Sequence, residues 1–147
     1  MSKVIIIAVD AMGGEDSPLK VINGINHHFQ NNKNVFYKIF GDTKKIKDII
    51  PKTLPPSSFE LVHTDEEVKG TDSALSAAKR GKNTSMWLAI DSVKKKESDI
   101  IISAGNTGAL FVIAKLNLEM IENIDKPALS GLWPNKNGTN IVLDLGA

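Results

Sequence analysis

The twelve residues from Asp99 to Leu110, Asp-Ile-Ile-Ile-Ser-Ala-Gly-Asn-Thr-Gly-Ala-Leu, constrain the fold more than any other part of this chain. Three consecutive isoleucines, stiff at χ1 and suited to a pleated buried strand, break into a turn of small residues. An apolar segment of helical length follows at once. That order aims a helix N-terminus out of the end of a buried strand. The unpaired N–H groups there, with the positive end of the helix dipole, make a ready site for an anion such as phosphate. Gly105 and Gly108 let the backbone come close to a ligand, and Ser103, Asn106 and Thr107 add short polar side chains. The plain alternative is a capped helix that binds nothing.

Runs of strand and helix character alternate along the rest of the chain. Residues 4–9 predict a first buried strand, too short and too soon followed by Asp10 and Gly13-Gly14 to be a signal peptide. Ser17 and Pro18 suit an N-cap and first helical position, and Leu19, Ile22, Ile25 and Phe29 follow at helical spacing. Residues 35–40 predict a second strand that leaves through Gly41-Asp42-Thr43 into a short helix over 44–50. Pro51, Pro55 and Pro56 end it, and residues 59–62 predict a third strand. Residues 63–84 carry neither period beyond a weak helical hint at 74–79, and a segment that long without structure points to function or mobility. Met86, Ala89, Ile90 and Val93 mark an amphipathic helix ending in three lysines, and residues 110–118 a helix apolar on most faces and therefore buried. Residues 128–133 and 141–145 predict two more strands joined by a turn at 135–138. The expectation is an α/β, three-layer α/β/α fold with a mostly parallel, Rossmann-like sheet in a single domain over 1–147.

Several classes are disfavoured. With a net charge of +1 there is no nucleic-acid footprint. No apolar run approaches the ~20 residues that span a bilayer, so the expected location is cytoplasmic. The chain has no cysteine, which rules out disulfides, an enzyme thiolate and cysteine-held metal. His27 and His28 point about 100° apart on a helix and read as structural, and Glu66, Glu67 and Asp72 lack metal-ligand spacing, so neither metal nor cofactor is expected. Trp87 and Trp133 read as core or interface residues. The chain stops at Asp144-Leu145-Gly146-Ala147, where a strand reaches the edge at which α/β sheets carry ligands, and is read as a truncated piece of a longer protein.

Three motifs together carry a resemblance: Ala8-Val9-Asp10-Ala11-Met12-Gly13-Gly14, the run Ser-Ala-Gly-Asn-Thr-Gly-Ala over 103–109, and Leu-Asp-Leu-Gly-Ala over 143–147. In this order and spacing they resemble the bacterial acyl-ACP:phosphate acyltransferase (PlsX) family, across the whole chain but only about the first half of a typical member. Glu15 stands where that family usually has Asp, Ala74 replaces a frequent proline and Lys79 a frequent arginine, while Thr84-Ser85-Met86 resembles the family's Ser-Ser-Met. The resemblance implies transfer of a long-chain acyl group from acyl carrier protein to inorganic phosphate, giving acyl phosphate for phospholipid synthesis. It also implies a homodimer with peripheral membrane association, a downstream membrane glycerol-3-phosphate acyltransferase as partner, and a fold like that of phosphotransacetylases and isopropylmalate dehydrogenases.

In such a reaction phosphate is itself the nucleophile, so the protein must hold and orient it and stabilise the developing oxyanion. The expected phosphate cradle comprises Ser103, Gly105, Asn106, Thr107 and Gly108, with Asp10, Gly13, Gly14, Ser85 and Asp144 beside it. Asp10 is suited to orient a donor or a loop amide, or else to shape an Asx-turn. Ser85 or Thr84 is suited at least as well to an N-cap as to a ligand contact. His63, Lys82 and Asn106 are the candidate catalytic groups. His63 is suited to donate to phosphate or protonate a leaving group, and Lys79, Arg80 and Lys82 form a basic group able to attract phosphate or the acidic carrier protein. Two other readings remain: a nucleotide-binding or dehydrogenase-like α/β domain, although no G-x-G-x-x-G follows a strand, and a non-catalytic truncated fragment.

Overall fold

The computed structural model describes residues 3–146; Met1, Ser2 and Ala147, which belong to the opening run and the last motif, lie outside them. The elements in chain order are β1 (Ile5–Asp10), α1 (Leu19–Asn31), β2 (Val35–Gly41), α2 (Thr43–Lys47), β3 (Phe59–His63), α3 (Ala74–Arg80), α4 (Ser85–Lys94), β4 (Ile100–Ser103), α5 (Thr107–Asn117), β5 (Ser130–Asn135) and β6 (Gly138–Leu143). Among the described residues, four strands form a parallel sheet in the order β3-β2-β1-β4.

The two-residue period of β1 sorts the layers. Ile7 and Val9 pack on one face with Ile22, Ile25 and Phe29 of α1 and with Tyr37 and Ile39 of β2. Ala8 faces the other way, toward Ala89 of α4. Asp10 follows Ala8 and so also points to the α4 face. A third cluster joins α3, α4 and α5 through Ala77, Met86, Ile90, Ala109 and Ile113. Helices therefore cover both faces, which is the layered arrangement expected from the alternation of elements.

Three local expectations are corrected. The residue capping α1 is Pro18, not Ser17, and it offers no side-chain bond. The Ser17 hydroxyl instead donates to the Gly13 carbonyl at 2.6 Å, tying the loop before the helix. Helix α2 is five residues long and capped by Asp42, so residues 48–50 fall outside it. Helix α5 begins at Thr107 and is not buried all round: Ala109, Ile113 and Asn117 are buried, whereas Leu116 is 63% exposed. Among the described residues its covered stripe is the one that packs chiefly against α3 and α4.

The last two strands pair with each other, antiparallel, from Ser130 opposite Leu143 to Asn135 opposite Gly138. Each begins or ends within three residues of its expected bounds. Trp133, on this hairpin, is 63% exposed, whereas Trp87 packs half-buried against the α3–α4–α5 cluster.

Burial separates two isoleucines of the sheet. Ile39→Ala, at a fully buried position, lowers unfolding stability by about 3 kcal/mol, while Ile102→Ala, half-exposed on β4, costs less than about 1 kcal/mol. Urea denaturation of both variants checks the difference.

Candidate functional site

The site lies at the C-terminal edge of the parallel sheet, where β1 and β4 end side by side. Their register sets Asp10 opposite Ser103, so both side chains project to the α4 face. Asp10 is 1% exposed. Its carboxylate accepts from the Ser85 hydroxyl at 2.6 Å, from the Ser103 hydroxyl at 2.7 Å and from the Met12 N–H at 3.3 Å. Ser85 is the first residue of α4, so the positive end of that helix also faces the carboxylate. Thr84 is the cap of α4, its hydroxyl accepting from the Trp87 N–H. Thr84 thus caps the helix, and Ser85 ties α4 to β1.

The turn after β4 is built by its own side chains. The Gly105 N–H donates to Ser103 Oγ at 3.1 Å and so turns inward. Asn106 caps α5, its Oδ1 accepting from the Ala109 N–H at 2.9 Å. Its Nδ2 donates to the carbonyls of Gly70 at 3.1 Å and Asp72 at 2.9 Å. The Asn106 amide is thus engaged with protein on both sides, holding the 70–72 loop against the turn. Thr107 and Gly108 stand at the first two helical positions, where N–H groups have no intrahelical acceptor.

These donors open onto a cleft of about 950 Å³. One wall is Met12 with residues 14–17 and Lys20, a second is residues 67–70, and the floor is residues 104–108. Gly13 and Gly14 bring the first wall close. A Cβ on Gly13 would sit 2.5 Å from Asp10 Oδ2 and 2.9 Å from the Gly105 nitrogen; one on Gly14, at φ +98°, would sit 2.7 Å from the Ala104 carbonyl oxygen. The cleft has mixed charge: Lys20 and Lys69 face Glu15, Asp16 and Glu67. Lys20 pairs with Asp16 at 3.2 Å.

The segment over 63–84, unassigned by periodicity, supplies the second wall. Val68 is buried in the α3–α4–α5 cluster, and the Thr64 hydroxyl donates to the Asn83 carbonyl. Arg80 grips Asp72 with two bonds, Nη1 to Oδ2 at 2.8 Å and Nη2 to Oδ1 at 2.7 Å, and the Lys69 N–H also donates to Oδ2 at 2.8 Å. The Arg80 guanidinium, helped by that N–H, holds the Asp72 carboxyl below its ordinary range. Arg80 is therefore a loop clamp and not part of a free basic group.

The structure thus brings together Asp10, Gly13, Gly14, Ser85, Ser103, Gly105, Asn106, Thr107 and Gly108. It leaves three expected residues elsewhere. His63 ends β3, two strands away, where its Nδ1 accepts from the Thr43 N–H at 3.3 Å. Lys82 lies between α3 and α4, and Asp144 follows β6; neither lines the cleft. His28 bonds Tyr37 through Nδ1 at 2.6 Å, in keeping with a structural role. Lys20, Glu67, Lys69 and Gly70 were missed. The lack of period over 63–84 was the only sign of the last three.

Against this geometry stand the comparisons with known proteins. The sequence matches the fatty acid synthesis protein family over residues 5–147. The chain belongs to that family. It is 71% identical over its whole length to a phosphate acyltransferase of Pelagibacter ubique, covering 44% of that protein. It is 44% identical over 143 residues to a phosphate acyltransferase of Bradyrhizobium diazoefficiens, with 96% of this chain and 40% of the relative covered. A third, from Parvibaculum lavamentivorans, is 42% identical with 41% of its length covered. The chain therefore spans less than half the length of these relatives. No helix among the described residues is long and apolar enough to cross a membrane.

Two outcomes test this construction. Gly13→Ala lowers stability by about 1–3 kcal/mol because backbone must move, whereas Gly24→Ala, with nothing within 4 Å of the added Cβ, raises it by about 0.5–1 kcal/mol; urea midpoints decide. The Asp72 carboxyl titrates, by carbon NMR, below the ordinary aspartate value of about 3.9. Since its pKa is depressed in the folded state, its contribution is complete above that value and is lost as pH falls through the lower, folded one.

Proposed function

We propose that this chain forms the phosphate-binding part of a phosphate acyltransferase that moves a fatty acyl group from acyl carrier protein to inorganic phosphate, supplying acyl phosphate to phospholipid synthesis. The observation that carries this reading is the N-terminus of α5, where Thr107 and Gly108, whose N–H groups have no intrahelical acceptor, line the cleft at the sheet's C-terminal edge. The shared family and the names of the relatives support it.

In this reading a phosphate oxygen attacks the thioester carbonyl carbon. The new C–O bond forms as the C–S bond breaks, and the carrier leaves as a thiolate that takes a proton from water. In this reading no covalent enzyme intermediate is needed. The chain's work is to hold and aim the nucleophile. The carboxylates of Glu15, Asp16 and Glu67 around the cleft oppose an incoming dianion, so the turn's fixed dipoles and the lysines Lys20 and Lys69 must outweigh them.

Titration of the nitrogen-15-labelled chain with inorganic phosphate shifts the Thr107 and Gly108 amide signals in a saturable way. Thr107→Val weakens that binding about tenfold, the worth of one hydrogen bond to a charged group. Absence of a saturable shift at either amide overturns the reading. Phosphate-independent release of carrier protein by the full-length relatives removes the proposed reaction.

A further inference from the structure

Asp10 carries a buried carboxylate with no cation in contact among the described residues; its donors are two hydroxyls and one N–H. A buried charge held by neutral donors alone is expensive, and it is retained where those donors need it as an acceptor. Ser103 is the informative partner. Its hydroxyl has one proton, and that proton goes to Asp10 Oδ2; its lone pair is thereby turned to the Gly105 N–H.

We propose that Asp10 is a positioning residue of the anion site, acting through Ser103 on the Gly105 peptide without touching the anion. The carboxylate fixes the rotor of the Ser103 hydroxyl. The hydroxyl fixes the Gly105 N–H inward, 3.1 Å from Ser103 Oγ. With that peptide pinned, the next residue, Asn106, can cap α5, and the Thr107 and Gly108 N–H groups come to the cleft as the donors. Gly13 completes the arrangement, because any side chain there would strike both Asp10 Oδ2 and the Gly105 nitrogen. Ser85 takes the other carboxylate oxygen and belongs to a different job, anchoring α4. The same carboxylate thus serves a stability tie and a geometry tie that can be separated by mutation. This inference rests on the phosphate reading above for its ligand but not for its geometry.

The experiment uses the full chain in four variants, Asp10→Asn, Ser103→Ala, Ser103→Thr and Ser85→Ala, plus the Asp10→Asn/Ser103→Ala double variant. Two readouts are taken: hydrogen-exchange protection of the Gly105 amide, and the affinity for inorganic phosphate from NMR titration. Asp10→Asn and Ser103→Ala each strip protection from Gly105 and weaken phosphate binding roughly tenfold, and the double variant is no weaker than either alone, since both cut one relay. Ser103→Thr, which keeps the hydroxyl, restores both readouts. Ser85→Ala, which leaves the Ser103–Gly105 bond in place, lowers the urea midpoint yet leaves Gly105 protected.

Full Gly105 protection in Asp10→Asn, or losses of affinity that add in the double variant, overturns the relay. If Asp10→Asn does not fold, the contrast between Ser103→Ala and Ser103→Thr decides, and equal Gly105 protection in those two overturns it. If the parent chain binds no phosphate, the functional reading fails by itself, and Gly105 protection still tests the relay.

Discussion

The carboxylate of Asp10 is the constraint on which the site depends. It gathers the ends of β1 and β4 and the start of α4 around one buried negative charge, with hydroxyls at 2.6 and 2.7 Å. Hydroxyl dipoles and the α4 N-terminus replace water as its solvation. Three segments distant in sequence meet at that point, and the carboxylate ties them together. The glycine at position 13 is the space that this convergence demands.

Around that tie the site divides its labour. The Ser103 hydroxyl and the Asn106 amide are spent on protein: one holds the turn, and the other caps α5 and straps the 70–72 loop. The Arg80–Asp72 pair clamps the same loop from the far side. The first turn of α5, with N–H groups that have no intrahelical acceptor, and the Thr107 side chain are left at the cleft.

The sequence reading followed the chain closely wherever period or turn chemistry was strong. Apolar, largely β-branched runs located the four strands of the parallel sheet, and the isoleucine run before Ser103 located the turn into α5. It failed where two local signals competed. Ser17-Pro18 has the composition of a cap and first turn, yet the Ser17 hydroxyl finds the Gly13 carbonyl instead. The apolar residues of α5 suggested burial all round, but exposure is set by what a helix packs against, and among the described residues α5 packs chiefly on α3 and α4. His63 looked well placed because it ends a strand, and the sheet order put two strands between it and Ser103.

Sequence by itself determined the alternation of elements, the parallel layered fold and the family, because these depend on local period and on motifs contiguous in the chain. It also located the small-residue turn at 103–108. Tertiary structure decided which polar atoms of that turn are free. Asn106, a natural phosphate donor on paper, is consumed by carbonyls 34 and 36 residues away, and Ser103 by a carboxylate 93 residues away. Hydrogen-bond partners so far apart leave no periodic trace, since only the packing of strands and helices brings them within hydrogen-bond distance of one another.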